Sequence, residues 1–394
     1  MIAFLCLFYY GYKQYLKEDN SKNVLLIAVS IAGVMMSKYH GFLMVLFTVL
    51  SNLSLLKKKS FWAIVVITTL LMIPHLLWQI DNYFATFKFH LYNRIDMDFS
   101  WDDIAYYIFV QPIVFGPLIG VILLYALVKS KPTDLFKKAL IFSVWGIFLF
   151  FLYTTFKVEF HKHWTSVVAI PLILLGFEFI NDRPKLAKTT IRLSQVTLVL
   201  LVLAKAYLMY DYLPKSLTKD WDVLHGWDVW KDEVKELSGG LPVVFNNHYE
   251  RASRHQYLSK DQTHCYNTFD YRETQHDMLP FEEELQGKTV FMINRRRDTL
   301  HFETFRTSVR KDLHHMVVEN FRSYRNVWIE TVDEIEAEDG GIETNITLEN
   351  RYSRSVNFDN AGRRDVWLNA HVLKGLKEVK RIRIRKMEGG MTEG

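Results

Sequence analysis

Residues 23–56 read NVLLIAVSIAGVMMSKYHGFLMVLFTVLSNLSLL, and this stretch decides the fold. A helix needs about 20 largely apolar residues to cross the hydrocarbon core of a bilayer, which is roughly 30 Å thick. The 34 residues are more than one crossing needs, and the polar interruption SKYHG at 37–41 divides them. The stretch therefore predicts two membrane helices joined by a very short turn.

Apolar stretches of similar character fill the rest of the N-terminal half. They lie at residues 61–80, 104–128, 139–156, 165–180 and 193–212. Residues 1–12 are also apolar but too short to span alone, and they lack the basic start and small-residue cleavage site of a signal peptide. We therefore expect an α-helical polytopic membrane domain of about eight segments, the first of them truncated.

The loops between these segments alternate in positive charge. One set of alternate loops (13–22, 57–60, 129–138 and 182–192) carries 14 Lys and Arg, and the opposite set (38–40, 80–102 and 157–163) carries 5. Basic loops stay on the cytoplasmic side of a membrane. The alternation predicts a multi-pass protein of the inner (plasma) membrane whose C-terminal half is extracytoplasmic.

The charge balance divides the chain at the same place. Residues 1–212 hold 20 Lys and Arg against 12 Asp and Glu, whereas residues 213–394 hold 28 against 31. An aromatic content of 15% excludes a disordered chain, and two cysteines exclude a disulfide framework. The basic half is the predicted transmembrane domain, and the acidic half is a soluble domain.

Helical and strand patterns alternate in the C-terminal half. They predict helices at 228–237 and 250–258 and strands at 241–245 and 288–293. We expect an extracytoplasmic α/β domain over 213–330. A small β-rich unit follows over 331–394.

The β-rich unit has two further features. The alternation at 381–385 predicts a strand with an exposed basic face, and the same predicted topology argues against nucleic-acid binding there. The tail 388–394 is predicted to be disordered.

Polar residues in the extracytoplasmic loops form the candidate site. Three loops contribute cations and imidazoles, namely Lys38, His40, Arg94, His161, Lys162 and His163. Ionisable groups at membrane depth are costly and often functional. Such a cluster suits an anionic phosphate at the level of the headgroups, so it predicts a lipid-phosphate site.

Several polar residues also have ordinary structural readings. Lys38 can extend from a helix end towards the headgroups, and His75, beside Pro74, fits a packed core histidine equally well. Tryptophans 78, 101 and 164 fit an interfacial belt.

A metal or cofactor has little support. His161 and His163, two residues apart, are a weak metal signal with no third ligand close in sequence. The chain carries none of the usual nucleotide-binding or nucleophile-elbow motifs. We therefore expect no metal and no cofactor.

Several short motifs occur in a definite order along the chain. They are residues 37–41; 74–79 with Asn82 and Phe87; Gln111 with 115–118, where Pro112 departs from the pattern; 163–166 with Pro171; and the blocks 244–253, 272–275 and 287–293. Together they resemble integral-membrane glycosyltransferases of the GT-C class. The resemblance is closest to bacterial dolichyl-phosphate-mannose–protein mannosyltransferases and to lipid A aminoarabinose transferases.

The resemblance implies transfer of a sugar from a polyprenyl-phosphate donor to a lipid, glycan or protein acceptor at the extracytoplasmic face. In such a reaction basic residues hold the phosphate leaving group, and a carboxylate takes the acceptor proton. The family's acidic motif lies in the first external loop, and by comparison with the family we expect this chain to begin part-way through a later helix. The resemblance therefore assigns no catalytic base, and it implies an enzyme only if the missing N-terminal part is supplied.

Two other classes stay open. The alternative is a non-catalytic membrane protein, an assembly or lipid-handling partner whose external domain binds glycan or protein. A transporter has less support, because the charged residues within segments, Glu178 and Lys205, lie close to segment ends. Asp96 and Asp98 have the spacing of a sugar- or metal-binding pair, but a solvated loop explains them better.

Overall fold

The computed structural model describes residues 1–82, 84–89, 100–157, 160–214, 224–268, 271, 273–279, 281–294, 302–307, 313–332, 336–338, 341–343, 345–359, 366–374 and 377–391, with the backbone alone in 330–343 and 370–381. The chain divides into two compact units, Met1–Lys219 and Asp220–Gly394. A further boundary after residue 330 stays a prediction.

The first unit is helical in its described parts. Its helices are α1 (Ile2–Lys17), α2 (Ser21–Ser37), α3 (Gly41–Ser51), α4 (Lys59–Asp81), α5 (Ala85–Lys88), α6 (Trp101–Val114), α7 (Gly120–Lys129), α8 (Leu135–Thr154), α9 (Ala169–Asn181) and α10 (Pro184–Met209). Short 3₁₀ turns lie at Leu53–Lys57 and Thr165–Val168. Within the described residues, three helices (α4, α8 and α10) are long and apolar enough to cross a membrane. The count of eight segments stays a prediction.

The predicted pair of helices within 23–56 is confirmed. Helix α2 ends at Ser37, α3 begins at Gly41, and the Gly41 amide donates to the Lys38 carbonyl at 2.9 Å. A Cβ atom on Gly41 would lie 2.1 Å from the Val34 Cγ1 atom. Glycine therefore permits the close approach of the two helices at this turn.

The predicted single helix at 104–128 is wrong, because the chain breaks between α6 and α7. Gly116 lies in this break with φ of +119°, a backbone conformation that favours glycine. Pro117 follows and has no amide hydrogen to continue a helix. The first residue of α7, Gly120, lies directly against the last turn of α6.

The predicted loop at 182–192 is also largely helical. Helix α10 begins at Pro184, a residue suited to the first helical position because the amide hydrogen it lacks would have no partner there. Similarly, α1 continues to Lys17, into the predicted loop 13–22. The basic residues of these regions therefore lie partly on helix ends.

Close helix contacts in this unit depend on small residues. A Cβ atom on Gly33 would lie 2.4 Å from the Phe4 ring, and one on Gly146 would lie 2.4 Å from the Phe47 ring. Small residues let backbones approach where water supplies no driving force, as in membrane helix pairs. The core of the unit is otherwise aliphatic and aromatic.

A five-stranded sheet organises the start of the second unit. Its strands β1 (Val243–Asn246), β2 (Thr263–Tyr266), β3 (Val290–Asn294), β4 (Glu303–Phe305) and β5 (Leu313–Val318) lie in the order β2-β1-β3-β5-β4. Strands β1 to β3 are parallel, and β5 pairs antiparallel with β3 and β4. Helices α11 (Trp227–Ser238), α12 (Tyr249–Ser259), α13 (Gln275–Met278) and α14 (Phe281–Leu285) complete this part. The helices and strands predicted here are confirmed.

Two-stranded antiparallel ladders make up the rest of this unit. They join β6 (Val327–Val332) with β9 (Ile346–Asn350), β7 (Glu336–Glu338) with β8 (Gly341–Glu343), β10 (Val356–Asn357) with β13 (Gly390–Met391), and β11 (Trp367–Lys374) with β12 (Lys377–Lys386).

One expectation for the C-terminal strands is wrong, and another is confirmed. Residues 388–391 of the predicted disordered tail are ordered, because β13 pairs with β10 and the Gly389 amide donates to Asp359 Oδ1 at 2.9 Å. The predicted basic strand is present within β12, and Arg383 and Arg385 are exposed. The apolar Ile382 and Ile384 are exposed as well, so both faces of the strand are exposed over 382–386.

Two histidines of the second unit are buried in the neutral state. His264 in β2 is 1% exposed and His255 in α12 is 0% exposed. Burial lowers the pKa of His264 to about 3, with a further contribution from nearby His276. Burial also lowers the pKa of His255 to about 4, partly offset by Asp261.

We expect the second unit to lose stability as pH falls below about 6.5. The unfolded histidines bind protons near their ordinary pKa, whereas the folded ones bind them only near pH 3–4, so protons favour unfolding in between. At pH 4.5 the loss is about 2–3 kcal/mol for each histidine. Urea unfolding of the full chain at pH 7 and 4.5 measures it. His264→Gln should reduce this pH dependence, His314→Gln on β5 should not, and equal pH dependence in all three chains would contradict the assignment.

Candidate functional site

A hydrogen-bond network joins the turn after α2 to the end of α4. The Tyr39 hydroxyl lies 2.5 Å from His75 Nε2, and the Gln79 amide nitrogen donates to the same hydroxyl at 3.0 Å and to Thr86 Oγ1 at 2.8 Å. His75 and Gln79 are four residues apart and so share one face of α4. Gln79 is fully buried. The network fixes three separate segments against one another.

His75 takes part in this network through one ring nitrogen. Its Nε2 atom shares a hydrogen bond with the Tyr39 hydroxyl, which also accepts from the Gln79 amide nitrogen. The His75 ring also stacks on Trp78 with ring centroids 6.0 Å apart. His75 is therefore a hydrogen-bonded member of the site, not only a packed core residue.

A cluster of aromatic rings lies beside this network. Its centre is Trp164, which is 5% exposed, and the His40 ring lies 5.5 Å from it. Phe151, in the last turn of α8, lies 5.4 Å from both His40 and Trp164. Helix α8 and the turn before α3 are thereby brought to the same place.

The predicted histidines of the loop at 157–163 surround the same indole. The rings of His161 and His163 are nearly parallel with centroids 5.8 Å apart, and they lie edge-on to Trp164 at 5.1 and 6.5 Å. The structure therefore brings together His40, His161 and His163, which come from two distant parts of the sequence. All three imidazole rings contact the ring of Trp164.

The predicted lysines and arginine have different positions. Lys38 lies half-buried in the turn between α2 and α3, and Lys162 is exposed between the two histidines. Arg94 lies outside the described residues. Both lysines are neighbours of the imidazole cluster (His40, His161 and His163) along the chain, since Lys38 precedes His40 by two residues and Lys162 lies between His161 and His163.

Sequence reasoning omitted part of the site. Tyr39, His75, Gln79 and Thr86 form the network, but the predicted site contained none of them. One signal was available, since a polar pair at i and i+4 near the end of an apolar helix marks a buried polar face. Thr86 has no comparable signal.

Among the described residues, neither acidic side chains nor a group of metal ligands adds a further member to the site. Asp96, Asp98 and Glu159 lie outside the described residues, whereas Asp81 is exposed at the end of α4 and Asp102 in the first turn of α6. Among the described residues, no group of three His, Cys, Asp or Glu could hold a metal ion.

Comparison of the chain with protein-family models, curated proteins and solved structures finds no match. The helices of spanning length are suited to membrane association.

Proposed function

We propose that the chain is a membrane glycosyltransferase of the GT-C class that transfers a sugar from a polyprenyl-phosphate donor to a lipid, glycan or protein acceptor. One observation carries the proposal: the turn at 38–40, the end of α4 and the segment 161–164 converge at the ends of apolar helices. These are the segments whose motifs resemble that class.

The chemistry of the site supports a phosphate ligand. Imidazole and ammonium groups donate charge-assisted hydrogen bonds to phosphate oxygens, which stabilise charge on a departing phosphate. Histidines 40, 161 and 163 lie around one indole, and lysines 38 and 162 are adjacent to them along the chain. Arg94 belongs to the proposed site as a further cation.

The proposed topology follows from charge. We take the chain to cross the inner membrane in eight segments, with the phosphate site and the second unit on the extracytoplasmic side. The basic ends of the helices then lie in the cytoplasm, as the positive-inside rule requires. Partners are the donor, membrane lipids and the acceptor, with no metal, cofactor or nucleic acid.

Donor binding tests the proposal. The double variant His40→Ala/His163→Ala should weaken binding of a polyprenyl phosphate to the purified full chain by tenfold or more, because two charge-assisted contacts of about 1.5–3 kcal/mol each are lost. Lys38→Ala should weaken it in the same direction. The matched control is Lys57→Ala, which removes an exposed lysine at a distant helix end. Equal binding in all variants would refute the site.

Turnover separates the two candidate functions. With polyprenyl-phosphate mannose as the probe, release of polyprenyl phosphate as the mannose passes to an acceptor hydroxyl or to water would support the transferase. Binding that depends on His40 and His163 without release would instead support the non-catalytic lipid-handling partner.

A further inference from the structure

A second polar feature lies at the other end of α8 from the imidazole cluster. Helix α8 has 20 residues and is therefore about 30 Å long. Phe151, in its last turn, contacts the imidazole cluster, whereas Lys137, in its first turn, lines a cavity of about 620 Å³. The ends of α7, α9 and α10 complete this cavity, so it is remote from the proposed donor site.

The lining of the cavity is rich in cations. Lys129, Lys131, Lys137 and Arg183 line it, together with two carboxylates, Glu178 and Asp182. Lys137 Nζ and Glu178 Oε1 form an ion pair at 2.5 Å. Three cations and one carboxylate then remain outside that pair. The cavity therefore carries an excess of positive charge.

Two aromatic rings hold the cations in place. The Arg183 guanidinium lies over the Phe179 ring at 3.8 Å, and its Nη1 donates to the Phe179 carbonyl at 2.5 Å. Lys129 Nζ lies 5.6 Å from the centre of the Tyr125 ring, which packs edge-on to Phe179 at 5.8 Å. The side chains of Arg183 and Lys129 thus each lie over one of two aromatic rings that contact each other.

The amino end of α10 adds to the positive electrostatic potential of the cavity. Arg183 precedes the first helical residue, Pro184, and within the described residues no side chain caps this helix and no acidic residue lies in its first turn. The amino end of a helix carries partial positive charge and unpaired amide hydrogens, which favour anions. Leu186, in this first turn, lines the cavity.

A groove lies between α9 and α10. It has a volume of about 520 Å³ and is lined by α9 and α10, with the apolar Phe177, Ile180, Ala187, Ile191 and Leu198 beside the polar Asn181, Thr190, Ser194 and Gln195. A ligand with a phosphate group and hydrocarbon chains would match the cationic cavity and the groove together. A free phosphate would use the cavity alone.

We propose that this cavity binds the phosphate group of an anionic phospholipid, whose acyl chains lie along α9 and α10. The proposal does not depend on sugar transfer, because it concerns other residues at the opposite end of α8. Basic pockets at helix ends and polybasic segments recognise anionic headgroups through charge-assisted hydrogen bonds.

Lipid binding to the purified full chain tests this site. Titration with short-chain phosphatidylglycerol and with phosphatidylcholine, read out by native mass spectrometry, should show preference for the anionic lipid. The double variant Lys129→Gln/Arg183→Gln should weaken phosphatidylglycerol binding at least tenfold, and the charge-retaining Lys129→Arg/Arg183→Lys should keep most of it. Lys57→Gln is the matched control and should bind as the unchanged chain does.

Three results would overturn the proposal. They are equal affinity for the two lipids, an unchanged affinity in the double glutamine variant, or an equal loss in Lys57→Gln. Glycerol 3-phosphate separates the two sources of phosphate. If it bound as tightly as the lipid with the same dependence on Lys129 and Arg183, the ligand would be a soluble phosphate and the lipid assignment would fail.

Discussion

Arg325→Met is expected to destabilise the second unit by about 3–5 kcal/mol, the range for removing one partner of a buried ion pair. Arg325 Nε and Asp277 Oδ1 lie 2.6 Å apart, with the two side chains 11% and 7% exposed. The change would leave a buried carboxylate without its cation. It would also remove the arginine's packing, because methionine is shorter.

The effect should be large because Arg325 does more than form the ion pair. Its Nη1 donates to the carbonyls of Asn267 and Thr268, each at 3.0 Å, directly after β2. Asp277 in turn accepts from the Thr274 amide and the Asn267 side-chain amide, each at 2.6 Å. The pair therefore connects the segment after β5 with the carboxyl end of β2 and with α13.

Hydrogen exchange of the full chain measures this loss. Amides of β1, β2 and β3 should exchange a hundredfold or more faster in Arg325→Met, since each 1.36 kcal/mol is a factor of ten. The control is Lys235→Met, because Lys235 pairs with Asp261 at 3.1 Å on the surface and such pairs contribute less than about 1 kcal/mol. Equal exchange in the two variants would show that Arg325 adds no more than a surface cation.

The sequence predicted those features that depend on local pattern. The helices of 23–56 follow from two apolar runs and one polar interruption, and α11 followed by β1 follows from amphipathic spacing, a glycine stop and a β-rich run. The break between α6 and α7 was missed because mean hydropathy stays high across it. Gly116 and Pro117, which cause it, are minor interruptions in a window of that length.

The site was predictable only as a set of loops on one side. The alternation of positive charge places the loops 38–40 and 157–163 on the same predicted side of the membrane. The structure brings the His40 ring into contact with the Trp164 ring. Which side chains meet depends on the rotation of each helix about its axis, which apolar helices with little polar asymmetry do not specify. The bond between Tyr39 and His75, 36 residues apart, is of this kind. The pairing of Arg325 with Asp277 in the second unit likewise joins residues distant in sequence, and it depends on how the turn at Arg325 packs against α13.

Gly120→Ala is expected to destabilise the first unit by more than about 3 kcal/mol, in the class of severe overpacking and backbone strain. A loss of stability is unusual for this substitution, because alanine is normally favoured over glycine within helices by about 0.5–1 kcal/mol. Here an added Cβ would lie 1.9 Å from the Pro112 carbonyl oxygen. A backbone atom cannot rotate away as a side chain does.

The backbone around Gly120 has little freedom to adjust. The Gly120 amide donates to the Gly116 carbonyl at 2.7 Å, and Gly116 is itself held at φ of +119°. Relief of the clash must therefore move α6 and α7 apart. Helix α7 is also in close contact with α9, where Gly176 packs against Leu123 at a distance that leaves no room for a Cβ. The strain would be transmitted to the wall of the cationic cavity, which Lys129 at the end of α7 helps to form.

Gly11→Ala provides the matched comparison for this prediction. Its added Cβ would meet only side-chain atoms, with Ile27 Cγ1 at 3.1 Å and Leu26 at 3.3 Å, and these can shift slightly. Thermal unfolding of the two variants in detergent should leave Gly11→Ala near the unchanged chain and lower the midpoint of Gly120→Ala by many degrees. Similar midpoints would mean that α6 and α7 are not held in contact at Pro112. Because the same methyl group is added in both variants and helix propensity accounts for at most about 1 kcal/mol, a difference of many degrees reports the contact between α6 and α7.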